Sequence, residues 1–114
     1  MKKLAFINEK IKGYNKKIYI PGDKSLSIRF VLISSQAIGK STAHNLLKSE
    51  DVLHALKAIK KLGINYRIKK NICEIDGKGL GGFKYKNNTI INAGNSGTLA
   101  RLIFGLLINF TRAN

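Results

Sequence analysis

Ser49-Glu50-Asp51-Val52-Leu53-His54-Ala55-Leu56-Lys57-Ala58-Ile59-Lys60-Lys61-Leu62-Gly63, followed by Ile64 to Asp76, is the stretch that decides the fold. Ser49 can cap a helix, and Glu50 and Asp51 fall in its first turn, where the helix dipole favours negative charge. Val52, Leu53, Leu56, Ile59 and Leu62 recur at helical spacing on one face, Lys57, Lys60 and Lys61 occupy the rest, and Gly63 ends the helix. Residues 64–69 and 72–76 then form two strand-like runs around Lys70-Asn71, the pattern of a hairpin. A helix that leads straight into paired strands predicts a mixed architecture of the α/β (α+β) class.

Working towards the start, residues 41–47 predict a strand. Residues 25–38 predict a helix, apolar on most sides (Leu26, Ile28, Phe30, Val31, Leu32, Ile33), buried, and closed by Gly39. Residues 4–8 and 17–20 predict short strands, the second ending at Pro21, the single proline. Towards the end, 78–88 is a glycine-rich polar loop or weak strand, 89–92 a short strand, and about 96–109 a last helix.

The whole chain has 114 residues, room for one domain. The longest apolar run, Leu102 to Ile108, is far short of the roughly 20 residues a bilayer requires. Nothing near Met1 forms the apolar core of a signal peptide. A single cysteine, Cys73, allows no internal disulfide, and two histidines make a zinc cage improbable. The expected setting is reducing and cytoplasmic.

Twenty-one Lys+Arg against six Asp+Glu leave a net charge of +15. Such a balance attracts anions: nucleic acid, membrane surface or phosphorylated small molecules. A compositional reading competes, because Lys, Ile and Asn, all with AT-rich codons, fill 44 of 114 positions. No block of five like charges occurs, so there is no basic tail.

Two segments echo each other. Gly22-Asp23-Lys24-Ser25 opens one helix and Gly94-Asn95-Ser96-Gly97-Thr98 another, with Arg29 and Arg101 each seven residues after the leading glycine. A helix N-terminus presents free N–H groups and a positive dipole end, so it receives phosphate or carboxylate readily. Lys24 adds a mobile charge, Ser25 a hydroxyl at or near the cap, and Arg29 a planar fork one turn on. The plainer alternative is that Ser25 only caps while Lys24 and Arg29 are solvated, and that Gly94 to Thr98 is only a capped turn. Gly94 to Thr98 is neither a Walker loop nor a dinucleotide fingerprint. Gly77 to Gly82 opens no helix and reads as turn material. His44, His54, Cys73, Glu50, Asp51 and Asp76 read as structural or solvated.

Pro21 to Arg29 resembles the first signature of the 5-enolpyruvylshikimate-3-phosphate synthase (3-phosphoshikimate 1-carboxyvinyltransferase) family. Asn45 to Val52 is similar to its next block, and Ala93 to Leu102 to its Gly-Asn-x-Gly-Thr block. The three occur in family order over about residues 17–108. The related UDP-N-acetylglucosamine enolpyruvyl transferases usually have Lys-Asn where Lys24-Ser25 stands here.

The resemblance implies transfer of the enolpyruvyl group from phosphoenolpyruvate to the 5-hydroxyl of shikimate 3-phosphate, with no metal or organic cofactor. It implies that Lys24, Ser25 and Arg29 hold shikimate 3-phosphate. Lys24 would also act in catalysis and touch phosphoenolpyruvate, together with Asn95, Gly97 and Thr98. It further implies two domains of repeated βαβαββ units, an inside-out barrel with the site in the cleft. Residues 1–114 would then be a single partial domain, the leading segment plus the first unit. The implied partners are the two small-molecule substrates and the missing C-terminal part of the enzyme, with no membrane and no specific nucleic acid. The runner-up is a small basic nucleic-acid-binding module. It rests on the charge alone, without Trp or an aromatic-and-basic sheet motif.

Overall fold

The computed structural model describes residues 3–10, 12–13 and 15–108. Its elements run α1 (Lys24–Gln36), β1 (Ile38–His44), α2 (Glu50–Lys61), β2 (Asn65–Lys69), β3 (Ile72–Lys78) and α3 (Gly97–Ile108). The mixed class expected from the sequence is the one observed.

The α2–β2–β3 stretch forms as its residues predict. Ser49 caps α2 by accepting from the Val52 N–H, and Gly63 leaves the helix at φ +89. Leu53 departs from the expected apolar face, at 39% exposed, and Ala55 and Ala58 are buried in addition to the larger residues. Lys70 takes a left-handed φ of 55 at the hairpin turn. β3 enters the middle of a three-stranded antiparallel sheet of order β1-β3-β2, with Thr42 opposite Glu74 on one side and Arg67 opposite Glu74 on the other.

Alternation along β3 assigns its two faces. Cys73 and Ile75 are buried against the helices, whereas Glu74 and Asp76 face outward, half-buried. Glu74 there takes Lys40 at 3.6 Å and Arg67 at 2.9 Å, one cation from each neighbouring strand. The core joins Ile28, Val31 and Leu32 of α1, Val52, Leu56 and Ile59 of α2, Ile75 of β3 and Leu99 and Ile103 of α3. Each of the larger ones contributes about 1.5–3 kcal/mol by leaving water.

Several expectations are corrected. α1 spans 24–36 rather than 25–38, since Ala37 is already extended at φ −75, ψ 161. Gly39 has φ +94 but sits within β1 and caps nothing. The turn is fixed from across the sheet, where Gly77 lies beneath the Ser34 and Ala37 carbonyls and the Gly79 N–H donates to Ala37 O at 2.9 Å. α1 is not buried on all its apolar sides either. Leu26 and Ile33 are 67% and 68% exposed, while Ser27, Ser34 and Ser35 are buried, because small residues let the helix approach its neighbours closely.

β1 spans 38–44, not 41–47, because Asn45 turns to φ 60. Residues 4–8 and 17–20 form no strand among the described residues, and Leu4, Phe6, Ile7, Ile18, Tyr19 and Ile20 are exposed. A strand needs a neighbour for its N–H and C=O groups, and no described strand of this chain lies beside them. Residues 89–92 form none for the same reason. Lys78 still belongs to β3, and residues 79–88 are a loop, anchored by buried Phe83 and by the Lys84 N–H donating to Leu62 O at 2.8 Å. Asn109, expected to end the last helix, lies outside the described residues.

Candidate functional site

The start of α1 is built by four contacts. Asp23 caps the helix, its Oδ1 accepting from the Leu26 N–H at 2.7 Å. The cap is therefore Asp23, and Ser25 is a half-buried residue of the first turn whose hydroxyl makes no hydrogen bond among the described residues. Gly22 does not use a left-handed turn. It is needed for close approach, since a Cβ there would meet Asn45 O at 2.5 Å and Leu47 N at 2.9 Å. The buried Ser27 hydroxyl accepts from the Leu47 N–H at 3.1 Å, and Asn45 Nδ2 donates to Ile20 O at 3.3 Å. The loop before α2 thus fixes the approach to α1 and its first turn.

Lys24 Nζ lies 3.2 Å from Asp51 Oδ2, joining the first turn of α1 to the first turn of α2. Arg29 is exposed. It folds back along α1, where its Nη1 donates to Ser25 O at 3.3 Å.

The start of α3 is built in parallel fashion. Ser96, buried, caps it by accepting from the Leu99 N–H at 3.0 Å. Gly94 holds φ +58, its N–H donating to Asn92 Oδ1 at 2.8 Å, and it rests on the His54 ring, which a Cβ would meet at 2.9 Å. His54 is half-buried, its Nδ1 2.9 Å from Glu50 O, so it props this turn and is not merely solvated. Asn95 is exposed before the helix, Gly97 is the first, exposed residue of α3, and Thr98 is half-buried behind it.

The echo noted in the sequence is therefore spatial. Arg101 Nη2 passes 3.7 Å from where a Gly97 Cβ would stand, four residues back along α3, as Arg29 folds back to Ser25 on α1. Asp51 and His54 are one turn apart on one face of α2. They take Lys24 from the first glycine turn and Gly94 from the second, so both helix entrances gather on that face. Each offers backbone N–H groups, a positive dipole end and an arginine, an arrangement suited to two anionic groups.

No metal-type donor set exists among the described residues, where no three His, Cys, Asp or Glu come together. Open surface concavities lie on other parts of the fold. A cavity of about 560 Å³ is lined by Lys40, Arg67 and Glu74 on the sheet, and one of about 690 Å³ by Lys60, Lys84 and Tyr85. Cys73, as expected, is a packed core side chain, its thiol pushed up by burial and then by the Glu74 charge. Asp51 and His54 join these entrances although their sequence context marks them only as structural or solvated. The spacing of Asp51 from Ser49 pointed only to the helix dipole, and its pairing with Lys24 is a tertiary contact.

The family model for EPSP synthase (3-phosphoshikimate 1-carboxyvinyltransferase) matches residues 8–112. The 3-phosphoshikimate 1-carboxyvinyltransferase of Pasteurella multocida (strain Pm70) is 44% identical over 87 residues, 75% of this chain and 20% of that relative. The one from Sulfurihydrogenibium sp. (strain YO3AOP1) is 38% identical over 102 residues, 90% of this chain and 23% of that relative. The solved EPSP synthase of Acinetobacter baumannii superposes with a TM-score of 0.73 at 33% identity, covering 81% of this chain and 21% of that one. The chain thus spans about a fifth of the length of the relatives it matches. None of these matches supports the nucleic-acid reading. No helix among the described residues is long and apolar enough to cross a membrane.

Proposed function

This chain belongs to the EPSP synthase family, and we propose on that premise that it supplies one wall of a site transferring the enolpyruvyl group from phosphoenolpyruvate to shikimate 3-phosphate. The observation that supports the reading is the pair of glycine-opened helix entrances gathered on the Asp51–His54 face of α2. Both substrates carry a phosphate, and two anion-receiving helix starts fit two phosphorylated molecules held side by side.

In the proposed arrangement Lys24, Ser25 and Arg29 hold shikimate 3-phosphate. Asn95, Gly97 and Thr98 receive phosphoenolpyruvate, with Lys24 shared between the two. The 5-hydroxyl oxygen gives up its proton to solvent and bonds to C2 of phosphoenolpyruvate as C3 takes a proton. The tetrahedral intermediate then loses a C3 proton and expels phosphate, leaving the enolpyruvyl ether. Lys24, a mobile ammonium, follows negative charge as it builds on the departing phosphate. Residues 1–114 act in this reading as a partial domain, the first unit of a larger two-domain enzyme, completed by the C-terminal part its relatives possess. One wall alone leaves both substrates in water, where each ionic contact is worth little, so the isolated chain does not turn over.

The test joins this chain to the remaining four-fifths of the Pasteurella multocida relative and measures inorganic phosphate. Release that requires both phosphoenolpyruvate and shikimate 3-phosphate, and that the 114-residue chain alone does not show, supports the reading. A folded chimera without turnover contradicts it.

A further inference from the structure

We infer that Asp51 is a positioning residue for Lys24, holding its ammonium at the junction of α1 and α2 so that it meets an arriving anion already oriented. The inference rests on the role just proposed for Lys24. Glu50 and Asp51 both occupy the first turn of α2, where either would complement the dipole, yet they differ in surroundings. Glu50 is exposed, whereas the Asp51 side chain is only 20% exposed and lies 3.2 Å from Lys24 Nζ, itself 55% exposed. A carboxylate withdrawn that far from water needs a cation beside it. A lysine has four rotatable carbons, and its ammonium wanders unless something fixes it. The pair therefore gives each partner what it lacks.

The same face of α2 carries His54 one turn on, under the backbone of Gly94. A single helix thus sets the lysine at one anion entrance and the main chain at the other. Asp51 also has a cost, since it is a like charge beside any phosphate that Lys24 receives. Removing that charge while keeping the shape has two opposite effects. It relieves repulsion of the bound phosphate, and it frees Lys24 to leave its working position. A merely structural carboxylate would produce no such split.

The first arm of the test uses the 114-residue chain and an amine-acylating reagent, with labelling read at each lysine by mass spectrometry. In the unsubstituted protein Lys24 should label several-fold more slowly than exposed Lys57, because its ammonium is held 3.2 Å from the Asp51 carboxylate and is less free to meet the reagent. Asp51→Asn should close that gap, and Asp51→Glu should restore most of it. The second arm places the same variants in the chimera. Asp51→Asn should lower kcat about tenfold, with the KM for shikimate 3-phosphate unchanged or lower, and Asp51→Glu should recover part of the kcat. Equal labelling of Lys24 with and without Asp51 would overturn the inference, as would kcat falling and KM rising together. A chimera that fails before any substitution counts against the proposed reaction, and the labelling arm then decides alone whether Asp51 holds Lys24.

Discussion

Gly22 stands against the backbone of Asn45, so close that a methyl group in its place would lie 2.5 Å from the Asn45 carbonyl oxygen. Neither partner is a flexible side-chain tip, so the backbone itself must move to admit a Cβ. Gly22→Ala should therefore destabilise the fold by about 1–3 kcal/mol, as overpacking does. The check is a urea titration. An unchanged midpoint would show that the approach to α1 yields more easily than this contact implies.

Gly105 offers the opposite case. It lies within α3 with open space where a Cβ would go. Gly105→Ala should raise stability by about 0.5–1 kcal/mol, because alanine loses less backbone freedom in a helix. Thermal unfolding of this variant beside Gly22→Ala separates the two glycine roles.

What was legible in the sequence was local, and what was not depended on distant partners. Ser49, the Val52–Leu62 spacing and Gly63 mark α2 within fifteen residues, and Lys70-Asn71 marks the hairpin it leads into. Residues 17–20 carry the same kind of strand signal, yet pairing is settled by a neighbour that no local pattern reveals. The serines of α1 carry no hydrophobic signal in the sequence, although their small size is what buries that face. At the site, Lys24, Arg29 and the Gly94 turn were legible from the glycine, hydroxyl and arginine order. Asp23 displaced Ser25 as cap, and Asp51 and His54 gained their partners across long loops.

Cys73 makes stability depend on alkaline pH. Its folded thiol is raised by burial and then by Glu74, so the folded state keeps a proton that the unfolded state releases. The contribution is full below the unfolded thiol value, about 8.5. It is lost as pH rises through the raised folded value. Urea midpoints for the protein and for Cys73→Ala should converge as pH climbs from 8 to 10. A gap that stays constant would contradict this linkage.

The anion-receiving role proposed for the α1 entrance is the centre of the proposed function. Calorimetry of shikimate 3-phosphate binding to the chimera, with and without Arg29→Ala, tests it most directly. The account predicts a loss of about 1.5–3 kcal/mol, tenfold or more in affinity, the range for a charge-assisted hydrogen bond. Lys24→Ala, measured alongside, should lower turnover more than affinity. Binding as tight in Arg29→Ala as in the unsubstituted chimera would contradict the account.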